Sequence, residues 1–416
     1  MTGYTDYTDL AKQFGTPLYV YDIDRIRQAR SDLFGALPEE VELFFALKAN
    51  PHPQVARAMR DGTGKACRAE ISSTGELAAA LAAGFTGADI LYTGPGKTGG
   101  ELAEALAAGV RLFSVESRTD LEHVGAEAEQ LGVVADCLIR VNSATSSSST
   151  SIRMTGVPSQ FGFDSENLPE LRDQLLGVRG ATVAGAHFFP LSNAKDEASL
   201  IAEFTHTITL AARLQDELGI AFRFLDIGGG FAAPYAVLGD RPVYSALREA
   251  LSVALDKRFP GWRDGAPRVA CESGRYLVGD SGQLICSVVN LKESRGRNYV
   301  IADAGINTFG GMSGLGRLLP VAVTPQPDGR ANDQVASLVG PLCTPGDILG
   351  RDIALPTLSP GDLVVIPNAG AYGVTASLSM FLGRPAPAEV LISGGQVISA
   401  SRLRQVRDYQ IGAPVS

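Results

Sequence analysis

The chain has 416 residues, more than one hydrophobic core usually organises, so two domains are expected, one of them large enough to be a barrel. A hydrophobic share of 45% with 19% charged residues is that of an ordinary soluble globular protein, and a net charge of -9 repels phosphate backbones, which argues against a nucleic-acid footprint. Five cysteines (Cys67, Cys137, Cys271, Cys286, Cys343) without paired spacing and only four histidines suggest neither a disulfide framework nor a metal site.

Met1 to Leu10 is polar and lacks a basic-then-apolar signal, and no run reaches the ~18 apolar residues of a membrane span, so neither export nor anchoring is expected and a reducing cytoplasm fits. Pro17 to Tyr21 is β-prone and is expected to add a strand to a second domain. From about Val41, short apolar runs alternate with amphipathic Ala/Leu/Glu-rich stretches as far as Arg275. The expected strands are Leu43 to Leu47, Ala66 to Ile71, Ile90 to Thr93, Leu112 to Val115, Cys137 to Val141, Val183 to Phe188, Phe222 to Ile227 and Val269 to Glu272. Helices are expected at Gln54 to Met59, Gly75 to Ala83, Gly100 to Ala108, Thr119 to Leu131, Ala198 to Leu218 and Tyr244 to Arg258. Strands that alternate with helices in this way match a (β/α)8 barrel better than an open doubly wound sheet. The Ser/Thr-rich stretch Ser143 to Ser151 is the one low-complexity piece, expected to be mobile and solvent-facing. After Gly279 the runs Leu284 to Leu291, Tyr299 to Ala302, Gln334 to Leu338, Asp362 to Ile366 and Glu389 to Ile392, separated by Gly, Pro and Asp, read as an all-β domain. The expected division is 26–280 for the barrel and 1–25 plus 281–416 for a β-sandwich or β-barrel domain.

Barrel active sites lie at the C-terminal ends of the strands, and here those ends are polar. Strand one ends in Lys48-Ala49-Asn50, strand six runs through His187 to Ser192, strand seven ends in Gly228-Gly229-Gly230, and strand eight ends in Glu272-Ser273-Gly274-Arg275. Each alone is bland, since most lysines at strand ends are solvated and a triple glycine is usually only a turn. Together they say more, because the loops after strands seven and eight are where barrels commonly bind phosphate, with bare amides and a guanidinium as donors. Lys48 across the mouth from such a phosphate has the layout needed to hold an aldehyde cofactor as a Schiff base.

Five segments in order carry a resemblance: Phe44 through Asn50, Asp226 through Gly230, Glu272 through Arg275, Gly340-Pro341-Leu342-Cys343, and Asn368 through Gly373. The set is similar to that of the fold-type III pyridoxal-phosphate decarboxylases, the family of diaminopimelate, ornithine and arginine decarboxylases, and it spans nearly the whole chain. The resemblance implies an alanine-racemase-like (β/α)8 barrel with a C-terminal β domain, pyridoxal 5'-phosphate as cofactor, and release of carbon dioxide from an amino-acid-type substrate. It implies that Lys48 binds the cofactor aldehyde and that Glu272 pairs with the pyridine nitrogen and keeps it protonated. Gly229, Gly230, Gly274, Arg275 and Tyr372 would hold the phosphate, with Ser192 as a further donor. Cys343 matches the cysteine that returns a proton to the substrate carbon from the partner subunit, which implies a homodimer with shared active sites. Glu70 resembles the acidic residue near the cofactor at the end of the second strand. His187 is as well read as a packed strand residue as a participant, His52 shapes the loop after Lys48, and Arg140 either supports the site or pairs with a neighbour. Arg317, Thr344 and Asp347 complete the set as substrate-facing residues.

The chain departs from the family in two places. Where the diaminopimelate and ornithine enzymes carry a ring-stacking histidine followed by Gly-Ser, it has Phe189-Pro190-Leu191-Ser192; an aromatic ring can still cover the cofactor, but Leu191 replaces the glycine. Where they place an acid for the substrate's distal ammonium, it has Thr344, and an unpaired charge in a closed site costs several kcal/mol. With Met154-Thr155-Gly156 before Phe161-Gly162, these features are similar to a secondary-metabolism branch, some of whose members decarboxylate an aminoacyl group on a carrier protein. The competing readings are an amino-acid racemase of the same fold, which would place an arginine against the pyridine nitrogen, and a non-catalytic cofactor-binding homologue.

Overall fold

The computed structural model describes residues 6–144, 158–194, 196–310 and 323–407. The Ser/Thr-rich stretch from residue 145 onward, Met154-Thr155-Gly156 and Arg317 fall outside the described residues. Backbone contacts divide the chain into two compact units, one of Arg25–Ala233 and Asp240–Gly279, the other of Met1–Asp24, Pro234–Gly239 and Asp280–Ser416.

Strand β1 (Leu18–Asp22) belongs to the second unit, as its β-prone sequence suggests. The first unit holds β2 (Glu42–Ala46), β3 (Arg68–Ile71), β4 (Ile90–Tyr92), β5 (Leu112–Val115), β6 (Ala135–Asn142), β7 (Phe163–Asp164), β8 (Ala181–His187), β9 (Phe224–Asp226) and β10 (Arg268–Ser273). All pair in parallel in the order β5-β4-β3-β2-β10-β9-β8-β6, and β5 also pairs with β6, so eight strands close into the expected barrel, with β7 attached beside β6. Helices flank the strands, so both faces of each strand are covered and the sequences read as nearly continuous apolar runs.

The barrel interior is filled by a cluster of Phe44, Leu91, Leu138, Ala184, Phe224 and Ala270, with Leu112 packed against it. Because side chains repeat on one strand face every second residue, the next inward positions are Thr93, Ser114, Arg140, Asp226 and Glu272. The composition thus switches from apolar to polar within one layer of the barrel. His187 joins that layer by register, as the Cα partner of both Arg140 and Asp226.

Helices at Tyr7–Phe14, Ile23–Ala36 and Leu168–Leu176 add to those expected. The second buries Ile23, Ile26, Ala29 and Leu33, a 3–4 spacing that was present in the sequence, and it also buries Arg30. That guanidinium donates to the carbonyls of Ala58, Met59, Asp61 and Thr63, which satisfies a helix end and the turn behind it.

The second unit contains β11 (Gly282–Ser294), β12 (Arg297–Ala302), β13 (Gln334–Val339), β14 (Ile348–Leu355), β15 (Leu363–Ile366), β16 (Ala388–Ser393) and β17 (Gln396–Arg402). They form a sheet in the order β14-β13-β12-β11-β1-β16-β17, with β15 on β11. Leu10, Leu18, Val20, Ile285, Ala388 and Val390 form its core. The short piece Pro234–Gly239 belongs here although it lies between β9 and β10 in the chain. Ala236 N donates to Asn368 O, and Asn368 Nδ2 donates to Val237 O at 2.7 Å. No helix among the described residues is long and apolar enough to cross a membrane.

Candidate active site

Lys48 follows β2 in a single 3-10 turn, Leu47–Ala49, that carries its side chain beyond the polar layer. Its Nζ lies 2.9 and 3.1 Å from the two carboxylate oxygens of Glu70 at the end of β3. Glu70 is fully buried and also accepts from the Thr93 hydroxyl, whereas the Lys48 side chain is 40% exposed. The amine sits 5.5 Å from the centroid of the Phe189 ring. Behind Phe189 stands Arg140, its guanidinium 6.0 Å from that ring and 5.0 Å from Phe161, paired with Glu116 at 3.2 Å. Glu116 also accepts from Gly162 N, so Arg140, open in the sequence between support and simple pairing, pairs with an acid that is itself tied to the backbone beside Phe161.

A second carboxylate lies at the floor. Glu272 Oε1 is 3.1 Å from His187 Nε2, and both side chains are buried. The two atoms are at ion-pair distance but off the line of a hydrogen bond, so each keeps unspent capacity. The other nitrogen of His187, Nδ1, is 2.7 Å from Ser114 Oγ. Asp226 completes the group: its Oδ1 accepts from Gly228 N at 2.8 Å, and Oδ2 makes no well-directed hydrogen bond to any described residue. Donor atoms of His187, Asp226 and Glu272 lie within 4.8 Å of one another.

Two carboxyls this close cannot both ionise in a dry interior. Burial, then the Glu272 charge, pushes the Asp226 carboxyl well above the usual range. Burial also works against Glu272, but His187, Lys48 and Arg140 together outweigh it and hold that carboxyl down at about 2. A divalent cation would need both groups ionised, so the upward push on the Asp226 carboxyl works against any metal here.

The glycine run after β9 forms a tight wall. Gly228 and Gly230 have φ of 80° and 110°, and a Cβ at Gly229 would lie 2.3 Å from Glu272 O. A Cβ at Gly230 would meet Leu191 Cδ1 at 2.2 Å, so the leucine that replaces the family glycine packs beneath this wall. Ser192 beside it is half-buried. Gly274 lets the end of β10 approach Ala49, and Arg275 opens the short helix Arg275–Val278. His52 caps the helix Pro53–Arg60 by accepting from Gln54 N at 3.1 Å.

In the other unit, Cys343 is the exposed member of the five cysteines, and Thr344 follows it half-buried. Asp347 is buried, and its carboxylate accepts from Leu342 N at 2.7 Å and Ile306 N at 2.8 Å, which shapes the turn that carries Cys343. Tyr372 has a φ of 53°, and its carbonyl accepts from the Tyr235 hydroxyl. Ser114, Glu116 and Thr93 join the site two or four residues past an apolar inward position, although nothing local in the sequence marks them as site residues.

Residues 23–279 match the family model described as "Pyridoxal-dependent decarboxylase, pyridoxal binding domain". The chain belongs to the pyridoxal-dependent decarboxylases. It is 33% identical over 401 residues to the L-glutamyl-[BtrI acyl-carrier protein] decarboxylase of Niallia circulans, covering 94% of this chain and 92% of that protein. It is 32% identical over 402 residues to a diaminopimelate decarboxylase of Methanothermobacter thermautotrophicus, covering 95% and 91%. The solved structure of Helicobacter pylori diaminopimelate decarboxylase complexed with L-lysine superposes with a TM-score of 0.79 at 28% identity, covering 93% of this chain and 94% of that one.

The barrel residues fit pyridoxal phosphate. The decarboxylase offers an amine under an aromatic ring, a buried carboxylate with an unspent oxygen, and a glycine wall that a single Cβ would fill. The group at the floor is a carboxylate rather than the arginine of a racemase.

Proposed function

We propose that this decarboxylase acts on an aminoacyl group whose far end carries no free ammonium, attached to a carrier protein, and that it works as a homodimer in the cytoplasm. The carrying observation is the loop Gly340 to Asp347, whose one carboxylate, Asp347, is buried and committed to the amides of Leu342 and Ile306. A distal ammonium would find Thr344 and no acid there, and an unpaired charge in a closed site costs several kcal/mol. The likeness to a carrier-protein glutamyl decarboxylase supports the same reading.

When bound, the cofactor supplies an electron sink for the charge left on the substrate carbon as carbon dioxide departs. Lys48 Nζ would hold the cofactor, and Glu70 keeps Lys48 in position for it. Glu272 would face the ring nitrogen with its negative charge, and Phe189 would cover the ring. Gly229, Gly230, Gly274, Arg275 and Ser192 would hold the phosphate. Cys343 Sγ, supplied by the second copy, would deliver a proton to the substrate carbon. The test measures carbon dioxide released from a panel of amino acids, free and carrier-loaded. Faster turnover of free lysine or diaminopimelate than of any carrier-loaded substrate overturns the carrier reading. Recovery of activity on mixing Lys48→Ala and Cys343→Ala chains supports the shared site, and no recovery removes it.

A further inference from the structure

The family assignment explains an acid at the floor of the barrel but not the three side chains gathered around it. Ser114, His187, Asp226 and Glu272 come from four strands, β5, β8, β9 and β10, and all four are buried. Two of them are carboxyls that must share a proton, because ionising both in a dry interior is far costlier than ionising one. Which one keeps the proton decides whether a negative charge faces the cofactor nitrogen.

The geometry is unsymmetrical. Asp226 Oδ1 rests on a neutral backbone donor, Gly228 N, at 2.8 Å. Glu272 Oε1 rests 3.1 Å from His187 Nε2, and His187 cannot turn away because Nδ1 is engaged by Ser114 Oγ at 2.7 Å. Other charges face Glu272 as well: Lys48 after β2, Glu70 on β3 and Arg140 on β6. Lys48 and Arg140 each pair directly with a different carboxylate, Glu70 and Glu116, so their pull on Glu272 is partly spent. His187 is at ion-pair distance.

We infer that His187, held by Ser114, is a positioning residue that leaves the shared proton on Asp226 and keeps Glu272 ionised toward the ring nitrogen. This rests on the reading that Glu272 meets that nitrogen. The floor is therefore a four-residue device in which the acid touching the cofactor is only the last member. The opposite shifts of the two carboxyls, Asp226 upward by burial and its neighbour, Glu272 downward, accord with this division.

The experiment loads the protein with pyridoxal phosphate carrying a nitrogen-15 ring atom and follows its chemical shift against pH, a readout of ring protonation independent of turnover. In the unaltered chain the ring nitrogen stays protonated well above neutral pH. In His187→Phe the pH at which it loses its proton falls by about one unit or more, a tenfold loss in proton affinity. The double variant His187→Phe with Asp226→Asn recovers the unaltered profile, because an amide at 226 cannot take the charge from Glu272. Ser114→Ala shifts the profile the same way by less, and stands in should His187→Phe fail to fold. An unchanged profile in His187→Phe, or no recovery in the double variant, shows that His187 only packs and overturns the proposal. If Glu272→Gln also leaves the profile unchanged, the Glu272 reading itself fails, a separate outcome.

Discussion

Two glutamates buried to nearly the same depth, Glu272 in the barrel at 2% exposure and Glu389 in the β unit at 6%, sit at opposite ends of the titration range. Glu272 is held down at about 2 because His187, Lys48 and Arg140 outweigh the burial acting against its charge. Glu389 on β16 is pushed up to about 7 by burial, with the Tyr21 hydroxyl at 3.3 Å as the group that lowers it. Depth alone therefore does not mark an active site. Cations from several strands converging on one acid do, because they hold an ionised group in a place where water could not.

The comparison breaks most completely at Lys48, which is both one of those cations and the amine proposed to anchor the cofactor. Lys48→Ala is expected to abolish covalent attachment of the cofactor, read by mass spectrometry after borohydride reduction, and to lower decarboxylation by at least roughly 10³-fold. Retained attachment would move the anchor elsewhere. Glu272→Gln keeps the shape and removes the charge, and kcat is expected to fall about 10²–10³-fold, the range seen when one preorganised electrostatic contact is deleted. A change confined to KM would show that Glu272 assists binding only.

The barrel was legible because its strands alternate with helices and its glycine, lysine and arginine motifs sit at strand ends. Less legible was the floor. Ser114 lies in Leu112-Phe113-Ser114-Val115, an apolar run in which one hydroxyl carries no local signal, and its meaning comes only from His187, 73 residues later. Asp226 was visible as part of a motif, yet nothing in sequence tells that its carboxyl shares a layer with Glu272. Asp347 shows the reverse limit. Its place after Cys343 suggested substrate contact, while in space it bonds two backbone amides, something a linear pattern does not distinguish. The helix Ile23–Ala36 was missed for a different reason, since a buried arginine interrupts an otherwise regular apolar face.

Glu389 sharpens the comparison from the other side, because its raised value makes stability depend on pH. Its folded-state value lies above the unfolded one, so the folded chain binds the proton more tightly. The contribution is fully present below the ordinary glutamate range and is lost as pH rises through about 7. The loss across that window is on the order of 3 kcal/mol, measured by denaturant unfolding at fixed pH values, and Glu389→Gln is expected to flatten it. A slope that survives Glu389→Gln would assign the dependence to another group.

The smallest expected effect comes from Tyr21, whose ring also stacks on Tyr19 with centroids 5.6 Å apart. Its hydroxyl favours the ionised form of Glu389, so Tyr21→Phe is expected to raise that carboxyl further and to cost about 1 kcal/mol above pH 7. Near pH 4.5, where Glu389 is protonated in the folded state, the cost should shrink. Equal costs at both pH values would mean that the hydroxyl contributes through packing, leaving Glu389 displaced by burial with no opposing partner.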